Sequence, residues 1–245
     1  MQRRYSTGHG YVVALILTTL LAGPGIVFAQ DPVYTRDFML GSCRGFSSTG
    51  RNPFFILEPG YRLVLTGVED RVVKRLVVAV LDETRRINVP GIGNIVTRVV
   101  EETEREDGEL VEISRNYFAI CNRTNSVVYF GEEVDIYEDG EVVGHEGEWL
   151  AGEDGARPGI IMPGTVLLGA RYFQEIAPDV AMDRAEIVDL NATVQTPAGR
   201  FRRCLKTLET TPLEPGEVEF KSYARGIGLI QDGVLRLRRI VRPGD

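Results

Sequence analysis

The chain has 245 residues, a formal charge of −7 and 43% hydrophobic residues, enough apolar material for one domain or two closely packed halves. The acidic balance argues against nucleic acid and anionic membrane as partners, because both call for a basic face. One histidine beyond residue 29 and three cysteines without CxxC spacing rule out a zinc site built from several histidines or paired cysteines.

In chain order, Arg3 and Arg4 lead into the apolar run Tyr11–Leu21, then Gly23-Pro24-Gly25 and Val27-Phe28-Ala29. A positive start, a short apolar stretch, a helix break and small residues have the pattern of an export signal over residues 1–29, cut between Ala29 and Gln30. The run falls short of the ~20 apolar residues of a transmembrane helix, and no Cys follows it closely enough for a lipid-modified N-terminus. An uncleaved anchor is the alternative reading. Cleavage leaves about 216 residues carrying about −9, expected in the periplasm or outside the cell with no transmembrane span.

Residues 30–52 are polar and aperiodic and predict an extended arm, with one turn of helix over Arg36–Leu40. Residues 53–245 read as a single β domain. Strands are expected over Tyr61–Thr66, Val72–Asp82, Asn94–Glu106, Glu109–Cys121, Val127–Glu138 and Glu141–Trp149. Asp107-Gly108 and Asp139-Gly140 mark hairpins between these strands. In Val127–Glu138, Val128, Phe130, Val134 and Ile136 are expected on one face, and Tyr129, Glu133, Asp135 and Tyr137 on the other. Ala151–Gly159 reads as a boundary between halves at about 53–150 and 158–245. Further strands are expected near Leu167–Glu175, Met182–Leu190, Phe201–Thr211 and Glu217–Ala224, with a last hairpin at Asp232-Gly233. The fold class is mainly β, an antiparallel meander forming a curved sheet or barrel.

An internal near-repeat supports two related halves. Val80-Leu81-Asp82-Glu83-Thr84 has its echo in Asp189-Leu190-Asn191-Ala192-Thr193, and Val99–Thr103 in Thr207–Thr211. This places the strands carrying Thr97 and Cys204 at equivalent positions. Among Cys43, Cys121 and Cys204, an oxidising compartment predicts one pair and one leftover thiol. Cys43–Cys121 is the favoured pair because it ties the arm to the meander, though three pairings exist and buried free thiols are the alternative.

No catalytic, cofactor or metal signature emerges. His145 sits among Gly and Glu at an expected strand end, and no Ser carries a nucleophile-elbow motif. Glu133, Asp135, Glu138 and Asp139 fall on a solvated face and turn, where acids serve solubility. Glu153-Asp154-Gly155 and Asp179/Asp183 lack calcium-loop spacing. Gly226-Ile227-Gly228 lacks the lysine and helix of a phosphate cradle and reads as a bend. If a ligand pocket lies where the halves meet, Trp149, Met162 and Tyr172 are its candidate lining.

Asn52-Pro53-Phe54-Phe55-Ile56-Leu57-Glu58-Pro59-Gly60, Tyr129-Phe130-Gly131-Glu132, Pro158–Pro163, Thr211–Gly216 and Tyr223-Ala224-x-Gly226-x-Gly228-Leu229 together resemble a group of uncharacterised exported bacterial proteins. Ile56 and Arg225 stand where proline is expected in that group. More distantly, the group is similar to periplasmic lipoprotein-carrier-like folds with a curved antiparallel sheet. The resemblance implies no activity. The expected function is therefore an exported, non-catalytic β-protein that binds a lipid, a hydrophobic ligand or an envelope partner. The alternatives are a carboxylate-dependent hydrolase and a structural or surface-assembly protein.

Overall fold

The computed structural model describes residues 32–244, so the expected signal segment lies outside the described residues. Its only helical element among them is the 3-10 turn Leu40–Ser42. Three short strands come first, β1 (Phe46–Ser47), β2 (Gly50–Asn52) and β3 (Phe55–Leu57). A five-stranded meander follows: β4 (Arg62–Glu69), β5 (Val72–Val89), β6 (Gly93–Glu106), β7 (Glu109–Cys121) and β8 (Val127–Glu138). Five short strands come next: β9 (Glu141–Gly144), β10 (Trp149–Leu150), β11 (Arg157–Met162), β12 (Arg171–Phe173) and β13 (Glu175–Ile176). A second five-stranded meander ends the chain: β14 (Arg184–Thr196), β15 (Gly199–Thr210), β16 (Glu219–Ala224), β17 (Gly228–Asp232) and β18 (Leu235–Val241).

Each meander pairs neighbour to neighbour, and β18 pairs with β4 to join them side by side. The path begins at β12 and ends at β13, which only Gln174 separates in the chain. Arg171–Phe173 pairs with β14 on one side, and Glu175–Ile176 pairs with β11 on the other. The thirteen-strand antiparallel sheet is thus nearly closed into a barrel, which leaves few open ladder edges. Residues 33–244 form one compact unit. The expected boundary at Ala151–Gly159 instead leads directly into β11, which pairs with β8 inside the wall.

Turn chemistry explains most hairpins. Asp107-Gly108 and Asp139-Gly140 both take positive φ at the two central positions, as a tight hairpin requires. Asp70-Arg71 does the same without a glycine. At the last hairpin the turn lies one residue later than expected: Asp232 pairs with Leu235, so Gly233-Val234 turns and Asp232 stays in the strand. The expected single strand Glu141–Trp149 is broken into β9 and β10 by a turn at Gly147, where φ is 92°.

The two meanders repeat one another in register. Val80 and Arg85 face Val100 and Thr97, five steps against three. Ile187 and Ala192 face Thr207 and Cys204, again five against three. Asn116 and Phe118 face Glu132 and Tyr129, two steps against three. Lys221 and Tyr223 face Asp232 and Leu229, again two against three. Thr97 and Cys204 are both fully buried and equivalent in this register. The equivalences run one or two residues off the composition-based near-repeat, because ladder pairing, not residue type, fixes them.

Segment 32–52 is tied down rather than loose. Thr35 bridges to Tyr172, and β1 pairs with β7. Cys43 is bonded to Cys121 across 78 residues of sequence. The β2–β3 hairpin covers one end of the barrel. The Asn52 side chain donates to the carbonyls of Asn125 (2.8 Å) and Pro163 (3.0 Å), and the Gly226 N–H donates to the Pro53 carbonyl (2.7 Å). Three of the motifs quoted above therefore meet at this end.

Candidate functional site

The barrel encloses a cavity of about 340 Å³. Its covered end is apolar, walled by Phe55, Leu63, Val78, Val80, Val100 and Phe118. Its other end is acidic, with Glu102, Glu132, Glu175, Asp183, Glu209 and Asp232 around Lys221. A second cavity of about 760 Å³ opens beyond it, rimmed by Leu213, Val218 and Phe220, all exposed. The two share Glu132, Glu175, Asp183, Glu209 and Lys221, so the acidic throat joins an open mouth to the apolar end.

Strand alternation puts these acids inside. Val100, Glu102 and Glu104 share one face of β6, and Glu112, Ser114, Asn116 and Phe118 share one face of β7. Two bulges then override alternation. On β8 the extra residue lies between Tyr129 and Glu132, beside Gly131 at φ 141°, so Tyr129 and Glu132 both line the cavity. The expected grouping of Tyr129 with Glu133 and Asp135 is corrected by this bulge. Glu133 lies on the opposite face from Glu132 and pairs with Arg85, while Asp135 accepts from Arg115 at 3.0 Å. On β17 the equivalent bulge lets Leu229 and Asp232 both face inward.

The second meander supplies its own counter-ion. Lys221 Nζ lies 3.4 Å from Glu209, 3.6 Å from Asp232 and 3.7 Å from Glu219. Burial opposes the ammonium, but Asp232 and Glu209 outweigh it and hold Lys221 well above the usual lysine range. The first meander has no such residue. Among the described residues, neither Glu102 nor Glu132 has a Lys, Arg or His within ion-pair distance. Burial pushes the Glu102 carboxyl up to about 8 and Glu132 up to about 7. Glu175 is raised well above the carboxylate range, first by burial and then by Glu132 and Asp183.

Hydrogen bonds fix the throat. The Trp149 indole N–H donates to Glu175 Oε2 at 2.7 Å, and the Tyr129 hydroxyl donates to Asn116 Oδ1. Asn116 Nδ2 donates to the Val100 carbonyl (3.3 Å) and Ser114 Oγ (3.2 Å). Two acceptors have no partner: Gln174 Oε1, on a residue only 4% exposed, and Asp232 Oδ1.

Of the residues expected to line a pocket, none borders the apolar chamber itself. Trp149 stands behind the throat, against Glu175 and the Tyr129 ring, and borders a separate surface cleft of about 240 Å³. Met162 is fully buried in the core. Tyr172 is buried with its hydroxyl unpartnered. His145 is exposed, with Nδ1 2.7 Å from the Val134 carbonyl and 3.3 Å from Asp135. No group of three or more His, Cys, Asp or Glu among the described residues is arranged to hold a metal ion. Sequence reasoning missed Glu102, Glu132 and Lys221. The one signal was Lys221 itself, one of three lysines in an arginine-rich chain, spaced by two from Glu219 and Tyr223 on an expected strand.

Fold and site together define a nearly closed antiparallel β-barrel with an amphipathic, acid-throated lumen. No family model, no curated protein and no solved structure matches the chain.

Proposed function

We propose that this is an exported, non-catalytic barrel that takes an amphiphilic or hydrophobic small molecule into its lumen. The observation that carries the reading is the continuity of an open mouth, a polar throat and an apolar chamber. At about 340 Å³ the cavity, throat and chamber together, falls at the lower end of the ~300–1,000 Å³ of small-molecule sites. Export is supported by the signal-like residues 3–29 and by the Cys43–Cys121 disulfide, a bond that persists in oxidising compartments. Native mass spectrometry and solvent extraction of protein purified from its own envelope test the reading. A bound apolar adduct is expected, as is uptake of the neutral probe N-phenyl-1-naphthylamine. Val78→Trp, which fills the chamber, should abolish that uptake. Protein that carries no adduct and leaves the probe unbound sinks the proposal.

One observation favours a second reading, a carboxylate-dependent hydrolase. Glu132 and Glu175 flank the same Trp149–Tyr129 corner, and burial, followed by the Glu132 charge, raises Glu175 well above the carboxylate range, so this acid stays protonated near neutrality. A Glu132→Gln variant that abolishes turnover of a glycoside or ester in a substrate screen would establish it.

A further inference from the structure

The repeat in register makes the two meanders a controlled comparison of their inward-facing residues. Glu102 stands opposite Ser114 as Glu209 stands opposite Glu219. Glu132 and Asp232 follow equivalent bulges. Asn116 is then the counterpart of Lys221, since each sits two residues before the aromatic residue at its bulge, Phe118 or Tyr223. In the second meander an alkylammonium, the lysine side chain, is gripped by Glu209, Glu219 and Asp232. In the first, the matching acids Glu102 and Glu132 face the lumen beside a short neutral amide.

We infer that the lumen binds a single-chain amphiphilic amine, whose ammonium sits between Glu102 and Glu132 as the Lys221 ammonium sits among its acids. This rests on the ligand-binding reading above and names the class of ligand. Three independent features agree. Glu102 and Glu132, with no cation within ion-pair distance, lie on the wall of the cavity and not on the outer surface, and Lys221 acts on Glu102 only from farther off. The acceptor atoms left unbonded on the cavity wall point the same way: Gln174 is nine-tenths buried with its Oε1 unbonded, and Asp232, paired with Lys221 through Oδ2, leaves its Oδ1 unbonded. Such groups need a donor, and a primary ammonium brings three. Finally, Val78, Val80, Val100 and Phe118 continue inward from the acids, so a tail attached to the ammonium stays in apolar surroundings. A fatty acid would add a further carboxylate to a throat already lined by acids, where burial disfavours any added negative charge.

The chain's single tryptophan reports on this place, since its N–H is bonded to Glu175 in the throat. Purified mature protein is titrated at pH 7 with decylamine, decanol, decanoate and butylamine below their micellar concentrations. Trp149 emission and isothermal calorimetry provide the readouts. Decylamine is expected to bind at least tenfold more tightly than decanol or decanoate, and butylamine weakly for want of a tail. Asn116→Lys places the missing ammonium in the wall and should weaken decylamine at least tenfold. Glu102→Gln, which removes a costly buried acid and so favours folding, should narrow the decylamine-to-decanol ratio at least fivefold. Decanol or decanoate binding as tightly as decylamine overturns the amine assignment but leaves the ligand-binding reading standing. An unchanged ratio in Glu102→Gln overturns it too. Failure of every ten-carbon compound to bind removes the ligand-binding reading itself, and the assignment with it.

Discussion

Gly159 closes the barrel by having no side chain. A Cβ there would lie 2.3 Å from the Gln174 carbonyl oxygen, at the single residue where the two ends of the sheet meet. The obstacle is backbone, so it cannot swing aside. Gly159→Ala is expected to cost roughly 1–3 kcal/mol in urea denaturation, the usual range for overpacking. Gly108→Ala, with open space around its Cβ, should cost only the strain of its positive φ. Equal losses at the two sites would show that closure does not depend on Gly159. Lys221 makes the opposite argument. Lys221→Met leaves Glu209, Glu219 and Asp232 facing one another without a cation. Breaking a fully buried pair typically costs ~3–5 kcal/mol. The loss here is expected below that range, because Lys221 is half-buried and Glu219 exposed. The loss should be larger at pH 8 than at pH 5, because Glu219, pushed up to about 7 chiefly by burial, is charged at pH 8 and neutral at pH 5. An equal loss at both pH values would show that packing, not charge, is what Lys221 supplies.

Among the elements, β8 and β17 decide what the lumen contains, and neither bulge was legible beforehand. Alternation reads Glu132 as facing away from Tyr129, and only the extra residue beside Gly131 turns both inward. A bulge arises from pairing with the neighbouring strand, which a single-strand pattern does not contain. The long strands β6 to β8 and their Asp-Gly turn were readable because hairpin chemistry is local. Strand β11 was not, since Pro158-Gly159 reads as loop until its partners β8 and β13 are known. The N-terminal elements depend on a covalent link more than on a sheet of their own. Closing a 78-residue loop with the Cys43–Cys121 bond is worth roughly 4–5 kcal/mol by chain entropy. Cys43→Ser with Cys121→Ser should therefore lower urea stability by several kcal/mol. The wild type should titrate a single thiol, Cys204, and only after unfolding, because that residue is fully buried. A thiol that reacts in the native state would contradict this packing.

At the scale of the whole molecule, the acidic lumen sets how stability depends on pH. Glu102 is pushed up to about 8 by burial, and Glu132 and Glu219 to about 7, chiefly by the same cause. In the unfolded chain these carboxyls titrate near 4.5. Between those values the folded protein holds protons that the unfolded chain has released. Stability therefore falls as pH rises, is fully present below about 4.5, and is lost through the window from about 4.5 to 8. Glu58 and Glu133 act in the opposite sense, held down by Arg51 and Arg85. Their contribution is lost only as pH falls below the usual carboxylate range, and these surface pairs are screened by solvent. The lumen acids should therefore dominate between pH 5 and pH 8. Urea midpoints measured across that interval are expected to be highest near pH 5 and to decline toward pH 8. Glu102→Gln should flatten the decline and raise the pH 8 midpoint, since the amide has no proton to lose. A profile that is flat or rises from pH 5 to pH 8 would mean that these carboxyls ionise freely, with water filling the throat. The same profile measured with saturating decylamine should also flatten, because an ammonium between Glu102 and Glu132 stabilises their charged forms as the pH rises.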